Sequence, residues 1–223
     1  MIINGIDIEV ERKPIKHIHL SVYPPDGRVH VSAPQEAGDE QLRLYILSKW
    51  VWICEQRDKV TSYKIQPERE FVSGETHYYF GDKYRFRLVV NPDENQNVRK
   101  ESGYIVVTCR KRENAPDLLR EWYRIELKIR LNRLVEQWKI KIGVNPTQWE
   151  IREMPRRWGS ASKATGKVIF NLELAKKSID CIEYVVVHEL IHLIERTHTP
   201  TFYRILATHI PDWENRKNRL NNL

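Results

Sequence analysis

Tyr184-Val185-Val186-Val187-His188-Glu189-Leu190-Ile191-His192, with His198 following, is the stretch on which the reading of this chain turns. Two histidines four apart lie one above the other on a helix, because a turn takes about 3.6 residues. Their imidazoles can share one metal ion, and Glu189, beside the first, points at its open coordination side. Ile182, Tyr184, Val185, Val186, Val187, Leu190, Ile191, Leu193 and Ile194 make the predicted helix apolar almost all round, and such a helix is buried. An imidazole pair in apolar surroundings needs partners, since an unpaired ring nitrogen costs free energy there. A shared metal supplies the partner. Ser178 or Asp180 is the expected cap, with Glu183 three residues after Asp180 as in a capping box.

Catalytic zinc typically keeps three protein ligands and one water. His198 is the expected third ligand, brought back by a short turn beyond Arg196-Thr197, where the helix should end. Glu214 and His209 are its rivals. The spacing H-E-x-x-H-x5-H is shared with metzincins, but Glu195 stands where they place glycine, and no methionine follows Met154. That reading fails.

Upstream, Trp149-Glu150-Ile151-Arg152 reads as a strand leading to Arg156-Arg157-Trp158-Gly159-Ser160. Gly166 then turns the chain into the strand Lys167-Val168-Ile169-Phe170-Asn171. Val168–Asn171 is either an edge on which a substrate backbone pairs or an ordinary internal strand. Before it, Asn114-Ala115-Pro116-Asp117 opens a long helix that ends at Gly143, a C-cap glycine, with Pro146 just beyond. Leu119, Tyr123, Leu127, Leu131, Leu134 and Trp138 line its buried face. Arg120, Arg124 and Lys128 form a basic i, i+4 stripe, which is either a solvated face or a track for nucleic-acid phosphates.

The N-terminal half reads as mostly antiparallel strand with one helix laid across it. Ile18, Leu20 and Val22 alternate with polar residues, Pro24-Pro25-Asp26-Gly27 turns the chain, and Val29 and Val31 alternate back. His17, His19 and His30 on that hairpin make a second metal site conceivable, against the ordinary reading of polar histidines on a solvated face. One helix is expected from Asp39 to about Tyr63, with Trp50 and Trp52 in the core. Short strands follow at Glu70–Val72, Thr76–Phe80, Lys83–Val90 and Tyr104–Cys109, with a polar loop from Asn91 to Ser102.

The 223 residues suffice to bury a core, and 41% hydrophobic content with seven Trp and ten Tyr argues for a globular chain. A net charge of +7 suits a nucleic-acid or acidic partner as well as plain solubility. No signal-like or membrane-spanning run is visible. Cys54, Cys109 and Cys181 are odd in number and far apart, so they read as reduced thiols, and the expected location is cytoplasmic.

Taken in order, Arg157-Trp158-Gly159-Ser160, Gly166 to Asn171-Leu172, Ile182 to His192, then His198-Thr199 and Phe202 resemble the YgjP-like metallopeptidase family, which is related to the SprT and WLM zinc peptidases. Some of those digest proteins crosslinked to DNA. The family commonly has cysteine after Trp-Gly-Ser, and here it is Ala161. The expected fold is therefore α+β. A β-rich N-terminal part (1–113) precedes a zincin-like domain (114–223) whose long helix packs on the active-site helix. The resemblance implies metal-assisted hydrolysis of protein or peptide substrates. Zn2+ is expected on His188, His192 and His198, with Glu189 as general base and Tyr203 or Arg157 at the oxyanion. A nucleic-acid-associated protein with a structural metal, or a protease recruited to DNA, is the alternative.

Overall fold

The fold was taken from a computed structural model, which describes residues 1–23, 26–62, 70–155 and 157–221. The chain divides into two compact units, Met1–Glu68 and Arg69–Leu223. The division falls well before the expected 113/114. The reason is apolar: Phe86, Ile105, Val107 and Cys109, on strands assigned from sequence to the N-terminal part, share one buried cluster with the long helix and the motif helix.

In the first unit, β1 (Ile2–Ile3), β2 (Ile6–Lys13), β3 (His19–Tyr23) and β4 (Arg28–Pro34) form a sheet in the order β1-β2-β4-β3. β2 and β4 run parallel, with Ile8 opposite Val29 and Val10 opposite Val31. The expected mostly antiparallel pairing holds for β1 with β2 and for β3 with β4, and this central pair departs from it. Pro24 and Pro25 of the expected turn lie outside the described residues, while Gly27 has the positive φ, 72°, that the turn requires. The single helix expected from Asp39 is two, α1 (Asp39–Ser48) and α2 (Trp50–Ser62). The hydroxyl of Ser48 donates to the carbonyl of Tyr45 (2.7 Å), and the Lys49 N–H turns back to Ile46. That local competition for backbone carbonyls breaks the helix. The expected end near Tyr63 lies outside the described residues. Leu42, Ile46 and Ile53 bury against Ile3, Ile8, Val29, Val31 and Ala33, with Trp50 at the margin. Trp52 is exposed, contrary to the core placement expected for it.

The second unit opens on a sheet of the same plan. β5 (Thr76–Tyr79), β6 (Asp82–Val90), β7 (Asn97–Glu101) and β8 (Tyr104–Cys109) are ordered β5-β6-β8-β7, with β6 and β8 parallel and the outer pairs antiparallel. Each sheet is thus two hairpins joined by a parallel pair, and each is followed by helix. The first hairpin of each turns through two consecutive positive φ angles, at Asn4-Gly5 and at Phe80-Gly81, the turn that matches strand twist. Glu70–Val72 forms no strand. β7 falls inside the expected polar loop, because Val98 is its one inward apolar residue and no alternation marks it.

α3 (Ala115–Ile142) has the expected bounds, and Gly143 caps it at a φ of 77°. β9 (Gln148–Arg152), β10 (Gly159–Ser162) and β11 (Lys167–Asn171) form a three-stranded sheet in the order β10-β11-β9. β11 sits between two partners, so Val168–Asn171 has no free edge to offer a substrate. α4 (Ile179–Ile191), α5 (Pro200–His209) and α6 (Trp213–Asn221) complete the unit. The indole of Trp138 on α3 donates to the Glu183 carboxylate on α4 (3.0 Å), so the long helix packs on the motif helix. Glu183 therefore bridges helices and forms no capping box; Ser178 is the N-cap. The three cysteines are free thiols. Among the described residues no helix is long and apolar enough to cross a membrane.

Candidate metal centre

The motif lies at the C-terminal end of α4. The buried face of that helix fixes the last turn, with Val186, Val187, Leu190 and Ile191 fully enclosed. The helix stops at Ile191 with His192 as its C-cap. Beyond it the backbone tightens, the Leu193 N–H donating to the carbonyl of Leu190 and the Ile194 N–H to that of Ile191, and a new helix starts at Thr199-Pro200. Thr199 takes an extended conformation, its hydroxyl accepts from the Phe202 N–H (3.2 Å), and Pro200 occupies the first turn of α5. The turn between the two helices swings His198 back over the end of α4.

Three imidazoles meet there. Nε2 of His188 lies 3.2 Å from Nε2 of His192 and 3.0 Å from Nε2 of His198. All three ligand atoms fall within 4.8 Å of one another, and they form the one group of three or more His, Cys, Asp and Glu among the described residues that could hold a metal ion. The arrangement fits a cation better than mutual hydrogen bonds, since neutral rings facing through three Nε2 atoms cannot satisfy one another. Tetrahedral zinc with Zn–N near 2.0–2.1 Å separates its nitrogens by roughly 3.3 Å, close to the spacing here. Nδ1 of His192 lies 3.0 Å from the carbonyl of Glu195; donating to it leaves Nε2 with its lone pair directed at the centre. Burial, then the neighbouring His192, His198 and Lys217, push His188 down to about 3, so it stays neutral, the form that can bind a metal. His198 is lowered too, by burial first and then by His192 and Lys217.

The rivals for the third position are elsewhere. His209 packs edge-on to Trp138, and Glu214 sits in the first turn of α6; neither joins the group. Nor do His17, His19 and His30 form a second centre among the described residues: His30 lies 3.2 Å from the Glu11 carboxylate and edge-on to Tyr23.

Glu189 is buried at 6% exposure beside His188. Burial pushes its carboxyl up to about 8, with the Arg157 guanidinium acting in the opposite direction. Gly159 of β10 backs it so closely that a Cβ there would lie 2.5–2.7 Å from the Glu189 side chain. Any side chain at 159 would force Glu189 or the strand to shift. A cleft of about 500 Å3 opens over the centre, lined among others by Arg157, Gly159, Ser160, Ala161, Arg196 and Lys217. Of the two oxyanion candidates, Arg157 lines this cleft, whereas Tyr203 stacks between His198 and Trp213 and is not part of the lining.

Two contributors escape a reading by ligand type. Phe202, fully buried, has its ring centroid 4.9, 4.7 and 4.8 Å from those of His188, His192 and His198, so it is a floor on which all three rings stand. The sequence marks it only by its place behind Thr199 and within the stretch that carries the family resemblance, neither of which shows that it touches the histidines. Gly159 is the other, marked in the sequence only as part of the Trp-Gly-Ser segment, with nothing to show what it packs against.

Residues 16–223 match the family described as YgjP-like, metallopeptidase domain. The chain belongs to the YgjP-like metallopeptidase family. Its Trp158-Gly159-Ser160 segment thus leads into β10 of a metallopeptidase domain, and Ala161, in the position where cysteine is common, lines the cleft. A crystal structure of the metallopeptidase zymogen of Pyrococcus abyssi abylysin is similar at 21% identity and a TM-score of 0.38, covering 40% of this chain and 90% of that one. That of Methanocaldococcus jannaschii jannalysin is similar at 20% identity and a TM-score of 0.37, covering 40% and 86%. No curated protein sequence matches the chain.

The stripe on α3 is largely neutralised. Arg120 pairs with Asp117 and Glu153, and Arg124 pairs with Glu121 while donating to the carbonyl of Ile151.

Proposed function

We propose that the chain is a zinc peptidase, with His188, His192 and His198 as the zinc ligands and Glu189 as the general base. The observation that supports it most is the convergence of three Nε2 atoms beside a buried, glycine-backed glutamate. Bound zinc supplies Lewis acidity, which polarises a carbonyl and acidifies a water. The remaining chemistry belongs to the chain. The Glu189 carboxylate takes the proton of the attacking water and returns it to the leaving amine nitrogen. Burial makes that carboxyl a stronger proton holder than an exposed glutamate, which suits a group that must accept and then release. Arg157 takes the role of hydrogen-bonding the oxygen on which charge develops, a reading supported by its position in the cleft lining. β10, an edge strand with Gly159 to Ala161 in the cleft wall, offers its free backbone edge to an extended substrate.

The test pairs metal analysis with a single variant. Glu189→Gln should lose hydrolysis of an unfolded protein substrate by about 10²–10⁴-fold, while zinc measured by mass spectrometry stays near one per chain. Protein that is folded, free of metal and still active would overturn the proposal.

A further inference from the structure

The cleft over the histidines gathers three cations around a single buried carboxylate. Several cations elsewhere in the unit are matched by acids: Arg216 with Glu183 (2.7 Å) and Asp212 (2.9 Å), Lys176 with Glu173 (2.6 Å), Lys139 with Glu136 (2.7 Å), and Arg219 with Asp180. Arg157, Arg196 and Lys217 line the cleft, and none of them has an ion-pair partner among the described residues. The cleft's one described carboxylate is Glu189, buried beneath Gly159. The three cations come from separate elements: the approach to β10, the turn between α4 and α5, and α6. All are exposed.

The placement of Lys217 is held in detail. Its helix is pinned by Arg216 and Arg219 to acids of α4, by buried Leu220, and by the Trp158 indole donating to the Asn221 side-chain oxygen (3.1 Å). Arg216 and Arg219 point at protein carboxylates; Lys217, between them, faces the cleft. Cations left without acids around a focused cavity attract an anion.

We infer that this cleft selects peptide segments bearing carboxylate side chains beside the scissile bond, with Arg157, Arg196 and Lys217 as the specificity-determining residues. The inference rests on the peptidase reading and deepens it. A peptide is favoured over a nucleic acid because the cations flank the free edge of β10. A polypeptide has the N–H and C=O groups to extend that edge, with alternate side chains free to reach the cations. A phosphodiester chain has none.

The measurement uses the full-length Glu189→Gln protein and two dye-labelled octapeptides, identical except that three Glu in one are Gln in the other. Fluorescence anisotropy at low salt should show the Glu peptide binding about tenfold more tightly, with the gap closing near 0.5 M salt as the charges are screened. Arg196→Glu and Lys217→Glu, both at exposed positions, should erase the preference, with circular dichroism checking that each variant is folded. Equal affinity for the two peptides overturns the inference, and so does tighter binding of an oligothymidylate of matched charge. Hydrolysis by the unaltered protein separates the two claims. Cleavage of both peptides at equal rates ends the selectivity and keeps the peptidase; charge-selective binding without any cleavage does the reverse.

Discussion

Gly159 and Glu189 are the residues on which the site is most sharply poised. The glutamate carboxyl is buried and occupies the volume a β-carbon at 159 would need. Alanine there must push the Glu189 side chain off its position, the Gly159 backbone off β11, or both. Gly159→Ala should therefore cut turnover by about 10²-fold, the order of a displaced base, while the histidines keep their metal. Steady-state kinetics alongside zinc content would check this; unchanged turnover would show that Glu189 has room to move. The meeting of His188 and His192 was legible from spacing alone, because a helix puts residues four apart on one face. Gly159 was not, since its reason for being glycine is a side chain thirty residues away in sequence.

Among the elements, α5 is the one that finishes the site. It begins where Thr199 caps and Pro200 seats its first turn, and this start places His198 on one side and Phe202 beneath all three rings. Phe202→Ala would remove a fully buried ring, at a cost of about 3–5 kcal/mol, and would free the imidazoles to rotate. Zinc affinity should fall about 10–100-fold, as for loss of a group that orients metal ligands. Thermal denaturation and competition against a zinc chelator report the two effects separately. A loss of stability with zinc affinity unchanged would reduce Phe202 to simple packing. Elements with long-range apolar periods, such as α3 and β11, were readable from sequence. The break at Lys49 and the strand Asn97–Glu101 were not. The first arises from a serine hydroxyl competing for a carbonyl, and the second from pairing to β8 rather than from any pattern of its own.

At the scale of the molecule, the two four-stranded sheets share one plan, and each feeds a helical segment, yet only the second joins the core that carries the centre. Phe86, Ile105 and Val107 bury against α3 and α4, whereas Ile8, Val29 and Val31 bury against α1 and α2. Each unit thus encloses a core of its own, the condition for independent folding. Residues 69–223 expressed alone should give a cooperative thermal transition and bind zinc with about the affinity of the whole chain; an unfolded or metal-free fragment would show that the first unit is required. A cut at 113/114 should fail, because it strips the motif helix's core of one sheet.

The sequence alone determined the helix that carries His188, Glu189 and His192, its burial, the long helix that supports it and the turn that returns His198. Each follows from local periodicity, capping and chain reach, which act between near neighbours. Only the tertiary structure decided that Gly159 must lack a side chain, that Phe202 supports three rings, that β10 rather than β11 has the open edge, and that the dividing line falls at Glu68/Arg69. Those depend on which surfaces meet, and contact between segments distant in sequence leaves no periodic trace in either one.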